Sequence, residues 1–290
     1  MKQKDLAVEP PPAEGGGRMP AIEAEGVSVS LGGRPILRDV TLRVRAGSFA
    51  VVLGPNGVGK STFLRSILGL QPLSGGRLRV LGAEPGAARG RIGYVPQRGI
   101  FDPSFRIRGV DLVRMGLDGI RWGVPLPGST SRLAKAKVRE AIGLVGAASY
   151  ASRSIGELSG GEQQRLIIAQ SLVKDPSLLL LDEPLDSLDI SNQSTVAALI
   201  QRICRDNGIT VVLVAHDVNP ILRYLDQVIY LAGGGALSGP PDEVIRSATL
   251  SSLFGTKVEV LRASDGRLVV VGQPEPPAFH VSRHDGVSEP

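Results

Sequence analysis

SFAVVLGPNGVGKST, Ser48 to Thr62, sets the architecture of this 290-residue chain. SFAVVL is a mainly apolar run of strand length, and Gly54, Pro55, Asn56, Gly57, Val58, Gly59, Lys60 and Ser61 after it fit the spacing GxxxxGK[ST]. A helix from Lys60 to near Gly69, where glycine suits a C-terminal cap, completes a strand, loop and helix of an α/β fold. Glycines allow positive φ and close backbone approach, so successive N–H groups turn inward, and the helix N-terminus adds partial positive charge. Such a loop cradles phosphates. Lys60 is expected at the β- and γ-phosphates, Ser61 as an oxygen donor to Mg²⁺, and Thr62 at the α-phosphate.

Further along, Leu178 to Leu181 is a buried-strand run that delivers Asp182 and Glu183 to the carboxyl edge of a sheet. Two readings are open there: the acids serve phosphate chemistry, or they cap a helix after Pro184. Thr210 to Ala215 is a similar run ahead of His216. Each is preceded by a helical stretch, which implies a largely parallel central sheet with right-handed crossovers. Ala21 to Leu31 and Val40 to Arg45 alternate apolar and polar residues and read as half-buried antiparallel strands. Between Gln97 and Leu158 the strand signal disappears. Helical spacing at Val110 to Gly116 and Arg132 to Val145 flanks a proline and glycine loop at Gly123 to Gly128. Lys257 to Leu261 and Arg267 to Val271 read as a closing hairpin about Ser264 to Gly266.

Composition narrows the classes. With 42% hydrophobic and 21% charged residues the chain has a globular balance, but residues 1–18 (PPP, GGG) and 273–290 are expected to be disordered tails. No apolar run reaches the roughly 18 to 20 residues that span a bilayer, and no signal-peptide pattern is present. A lone Cys204 excludes an intrachain disulfide and reads as a buried helical thiol. The net charge of +5 is dispersed, so no nucleic-acid partner is expected.

LSGGEQQR at Leu158 to Arg165, lying between the phosphate loop and the acidic strand end, is the most discriminating motif. With GYVPQ ending at Gln97, it makes the segment from about Ala21 to Gly239 resemble the nucleotide-binding subunit of an ABC transporter. The resemblance implies a P-loop NTPase (ABC ATPase) fold at 19–272, with a mainly parallel central sheet, an antiparallel β subdomain and a helical subdomain at about 98–158. By the same resemblance Asp182 and Gln97 hold Mg²⁺, Glu183 is the general base, and His216 contacts the γ-phosphate. Ser159, Gly160 and Gly161 would meet ATP held by a second copy of the chain, with Ser187, Leu188 and Asp189 crossing that seam. A helix N-cap at Ser159 is compatible with this. One departure is Leu31, where the family commonly places an adenine-stacking aromatic.

IGYVPQRGIFDPSFRIRGVDLVRMGLDG and VAHDVNPILRYLDQVIYLAGGGALSGPPDEV resemble the zinc and manganese importer branch. The partners implied are two membrane permease chains and, indirectly, an extracytoplasmic binding protein, with the ATPase peripheral on the cytoplasmic face. Ile100, Phe101, Phe105 and Ile107 would either grip the permease or pack into the core. His280 and His284 beside Asp285 read as solvated tail, since Arg283 between them repels a cation. The alternatives are export or another cargo, an ABC ATPase without a membrane partner, and a non-hydrolytic scaffold.

Overall fold

The computed structural model describes residues 19–97, 101–118, 129–264 and 266–271. Both expected tails, Ile100, the histidines of the 273–290 segment and the Gly123 to Gly128 loop lie outside these residues. The strands are β1 (Ile22–Leu31), β2 (Arg34–Val44), β3 (Phe49–Leu53), β4 (Gly75–Val80), β5 (Ile92–Val95), β6 (Leu178–Asp182), β7 (Thr210–Val214), β8 (Gln227–Ala232), β9 (Gly235–Gly239), β10 (Glu259–Arg262) and β11 (Leu268–Val271). The helices are α1 (Lys60–Ile67), α2 (Pro85–Ala88), α3 (Gly109–Asp118), α4 (Ser129–Leu144), α5 (Gly160–Leu172), α6 (Ile190–Asn207), α7 (Pro241–Val244) and α8 (Ser247–Phe254).

β3, β6 and β7 are buried along their whole length because both faces of their sheet are covered, which is why they read as continuous apolar runs. They lie in a six-stranded sheet of order β5-β6-β7-β3-β8-β9, parallel except for the last pair. The leucine run divides its residues between two cores. Leu179 and Leu181 pack with Phe49 against α5 and α6, whereas Leu178 and Leu180 pack with Phe63 and Leu64 of α1 and with the antiparallel sheet β2-β1-β4. Truncating one such leucine to alanine typically costs about 2–5 kcal/mol, so the strand that carries the acids is rigidly held.

β2 begins at Arg34, six residues before the alternating pattern at Val40 suggests. The Gly32–Gly33 pair, with φ of 55° and 78°, closes a two-residue turn that sets Arg34 opposite Leu31. The first half of the strand is half-exposed and contains proline and charge, so it shows little periodicity. In the helical interval α3 packs on α4 and α5. Among the described residues between Val95 and Leu178, the only β pairing is the isolated bridge Arg108–Ser154. Phe101 and Ile107 pack partly against the core while Phe105, 5.2 Å from Phe101 ring to ring, is 44% exposed, so the cluster is shared between interior and surface.

β10 and β11 form a separate ribbon. Asn219 clasps it: Asn219 Nδ2 donates to the Leu268 carbonyl (3.0 Å) and Leu268 N–H donates to Asn219 Oδ1 (2.7 Å). Cys204 is buried on α6, where burial pushes its thiol up to about 11. Among the described residues, no helix is long and apolar enough to cross a membrane.

Candidate functional site

Four neighbouring parallel strands, β5, β6, β7 and β3, present their carboxyl ends along one edge. From that edge come Gln97, the Asp182–Glu183 pair, His216 and the Gly54–Thr62 loop in turn, so the topology alone gathers residues 162 positions apart (216 − 54). Gly59, at φ 109°, caps α1 in a conformation that L side chains avoid, and a Cβ there would lie 2.8 Å from Ile36 Cγ2. A Cβ on Gly54 would collide with the Leu231 carbonyl oxygen. The loop therefore needs glycine for conformation and space. Pro55 and Val58 are half-buried, while Asn56 and Gly57 stand exposed on the rim.

Lys60 is only 6% exposed and curls back under the loop, its Nζ donating to the carbonyls of Gly54 (2.8 Å) and Pro55 (3.1 Å). Burial lowers its pKa, opposed by the charges of Glu183, Asp182 and Asp186. Ser61 and Tyr94 lie beside the Asp182 carboxylate, whose Oδ1 is buried with no hydrogen-bond partner among the described residues. Burial raises the Asp182 pKa, and the neighbouring Ser61, Arg65, Lys60 and Tyr94 pull it back.

Glu183 sits at φ 53°, a strained conformation for a non-glycine residue and one that concentrates at functional sites. Its N–H donates to the Val214 carbonyl at 3.1 Å, tying the turn to β7. Both carboxylate oxygens are engaged. His216 Nε2 lies 2.6 Å from Oε1, and the Gln97 side-chain amide donates to Oε2. Asp186 Oδ2 comes within 3.7 Å of the same imidazole nitrogen. Burial raises the Glu183 pKa, His216 opposes that rise, and Asp186 and Asp182 add to it. The cap reading of the two acids is excluded: α6 starts at Ile190 and its N-cap is Asp189.

The remaining residues named from sequence form a second group. Ser159 caps α5 in a reciprocal box: its Oγ accepts from the Glu162 N–H at 3.4 Å, and its own N–H donates to Glu162 Oε2 at 2.9 Å. Asp189 accepts from the Asn192 N–H (2.9 Å) and Nδ2 (2.7 Å), which lowers its pKa. Asn192 also abuts Gly161, where a Cβ would clash with its side chain. No hydrogen bond or ion pair among the described residues joins this group to the Lys60–Glu183 cluster.

Sequence reasoning missed Asp186, Tyr94 and Asn219. Asp186 was legible as the third acid of DEPLD, whereas Tyr94 enters only through strand pairing and Asn219 only through the ribbon it clasps.

The raised carboxyls give a pH signature. If the ionised forms of Asp182 and Glu183 are needed, hydrolysis falls off on the acid side at a higher pH than unperturbed carboxyls would give, and Glu183→Gln removes the Glu183 share of that limb from its residual rate while the Asp182 share stays. Steady-state rates between pH 5 and 9 check this. The stability sign is opposite: a carboxyl with a raised folded pKa is destabilising once ionised, so this cost grows as pH rises from the unfolded value through the raised one.

Residues 37–186 match the family model for ABC transporters. The chain is 36% identical over 233 residues to the zinc transport system ATP-binding protein TroB of Treponema pallidum, covering 79% of this chain and 86% of that one. It is 34% identical over 244 residues to the manganese transport system ATP-binding protein MntB of Bacillus subtilis, covering 83% and 95% respectively. Among solved structures, the dimeric post-hydrolysis state of the ATP-binding cassette MJ0796 bound to ADP and Pi superposes with a TM-score of 0.62 at 26% identity, covering 76% of this chain and 98% of that one. The chain belongs to the ABC transporter family, as one of its ATP-hydrolysing subunits.

Proposed function

We propose that this chain energises import of a divalent transition metal, zinc or manganese, by hydrolysing ATP at two composite sites between two copies of itself. The observation that carries the composite site is the division of the motif residues into two groups, one at the sheet edge and one at the caps of α5 and α6, with no bond between them among the described residues. The sandwich arrangement is supported by the dimeric ADP- and Pi-bound relative. The cargo reading is supported by the zinc and manganese transport proteins to which the chain is similar.

Each nucleotide's phosphates lie in the Gly54–Thr62 loop, with Lys60 turning from the loop carbonyls to the β- and γ-phosphates. Thr62 serves the α-phosphate. The oxygen set of Ser61, Asp182 and Gln97 suits Mg²⁺, and the buried, unpartnered Asp182 Oδ1 beside Ser61 fits a hard cation. Bound there, Mg²⁺ would offset charge on the β- and γ-phosphates. Glu183 accepts a proton from water as its oxygen attacks the γ-phosphorus, and the bond to the β-phosphate oxygen breaks to give ADP and phosphate. His216 and Gln97 hold the Glu183 carboxylate in place, and His216 also reaches the γ-phosphate. Ser159 and the N–H groups of Gly160 and Gly161 on the second copy close over that phosphate, with Asp189 holding the seam through Asn192.

The working unit spans 19–272, with the helical subdomain at about 98–158 turning as the two copies close. It sits peripherally on the cytoplasmic side against two permease chains that receive cargo from an extracytoplasmic binding protein. The test is uptake by the chain reconstituted with the permease that it co-purifies with, using radioactive zinc and manganese. ATP-dependent uptake of either ion is expected; uptake confined to an organic metal chelate overturns the cargo reading.

Leu31, 40% exposed at the end of β1, offers adenine only an apolar contact. Stacking lost relative to an aromatic is worth about 1 kcal/mol, so Leu31→Tyr is expected to tighten ATP about fivefold. The wild type should hydrolyse ATP and GTP with similar kcat/KM. A wide preference between them would contradict this role for Leu31.

A further inference from the structure

Gln163 is only 2% exposed, and an amide side chain buried that deeply must have its polar atoms bonded. It lies in the first turns of α5, its N–H donating to the carbonyl of the Ser159 cap at 2.9 Å. Its side chain bonds outside the helix. Oε1 accepts from the Phe101 N–H at 2.7 Å, while Nε2 donates to the Leu158 carbonyl at 3.0 Å and to the Phe101 carbonyl at 3.4 Å. One amide therefore ties the Phe101 backbone, 62 positions earlier, to the residue immediately before Ser159.

Further bonds hold the same two segments together. The Ile155 N–H donates to the Ile107 carbonyl at 2.8 Å, and the Phe105 carbonyl accepts from Ser154 Oγ at 2.9 Å and from the Gly156 N–H at 3.3 Å. Gly156 allows the close approach: a Cβ there would stand 2.6 Å from the Asp102 carbonyl oxygen and 2.9 Å from that of Pro103. The 101–107 segment is thus fastened along 154–158, and Gln163 supplies the fastening nearest Ser159. The box of Ser159 and Glu162 shapes the turn locally but does not fix the chain that enters it. Leu158, just outside the helix, is fixed by Gln163.

We propose that Gln163 is a positioning residue for ATP hydrolysis: by clamping Leu158 to the Phe101 backbone it sets the Ser159–Gly161 turn for closure over the phosphate held by the second copy. The role rests on the composite site of the proposed function. The side-chain bonds of Gln163 stay clear of the Gly54–Thr62 loop, so nucleotide binding and closure are separable.

In the full chain carrying Glu183→Gln, light scattering with saturating ATP gives the protein concentration at half-dimerisation. Adding Gln163→Met, which keeps the length of the side chain and loses its bonds, is expected to raise that concentration about tenfold, the scale of two or three hydrogen bonds. Affinity of the dilute chain for a fluorescent ATP analogue should stay within about twofold, since the two sites share no bonded partner. With Glu183 intact, Gln163→Met should lower kcat while that affinity persists. Gln163→Glu keeps an acceptor for the Phe101 N–H and should fall between methionine and wild type. If the methionine chain alone loses analogue binding, Gln163→Glu replaces it under a criterion of about threefold. Parallel loss of analogue affinity in both variants marks a merely structural residue and overturns the proposal. Dimerisation indifferent to both substitutions overturns it and leaves the composite site standing, whereas no ATP-driven dimerisation of Glu183→Gln itself overturns both.

Discussion

Glu183→Gln is expected to slow ATP hydrolysis by at least about 10²-fold while nucleotide binding persists, the usual scale for removing a general base. The amide has nearly the shape of the carboxylate but cannot take up a proton. Its oxygen can still accept from Gln97, and its NH₂ can face a neutral His216, so the hydrogen bonds around it survive in altered form. The backbone at φ 53° is no harder for glutamine than for glutamate. Binding without turnover should therefore trap the ATP-loaded dimer. Single-turnover hydrolysis and light scattering with ATP read both effects, and a variant that hydrolyses ATP at the wild-type rate as a monomer would end the composite-site account.

Lys60→Ala should weaken ATP binding by roughly 10- to 100-fold, because a hydrogen bond to a charged group is worth about 1.5–3 kcal/mol. The loss is compounded within the chain. The ammonium holds the Gly54 and Pro55 carbonyls, and removing it takes a donor from each, leaving Pro55 with the Val58 N–H at 3.4 Å. It also leaves Asp182 and Glu183 without a cation that lowers their pKa values, so both carboxyls should titrate higher still. Equilibrium binding of a fluorescent ATP analogue checks the first effect, and affinity within twofold of wild type would refute it.

The Gly54–Thr62 loop was legible because its residue types and its strand-to-helix turn share one contiguous segment. β3, β6 and β7 were legible because strands covered on both faces must be apolar throughout. β4 was harder: Leu78 and Val80 alternate with exposed Arg77 and Arg79 over only six residues that open with two glycines. β9, half-buried throughout, carries almost no pattern. β8 is fully buried and, after Gln227, apolar, yet only the strand pairing reveals that it lies beside β3. In the site, motif spacing pointed to Asp182, Glu183, Gln97 and His216 but not to Asp186. It could not reveal that Glu183 is gripped from both sides or that Asp186 folds back toward His216, since those contacts depend on how the chain turns after β6.

A two-stranded ribbon is marginal on its own, and β10–β11 exposes Leu261, Val269 and Val271 to solvent. Its amide protons should therefore exchange with deuterium through local opening, whereas those of β3, β6 and β7, sealed between two cores, wait for global unfolding. The Leu268 N–H bonds to Asn219, whose own side chain donates to Asp217 Oδ1 at 2.6 Å, next to His216. Deuterium uptake at that single amide thus becomes a remote gauge of how firmly the histidine loop is held.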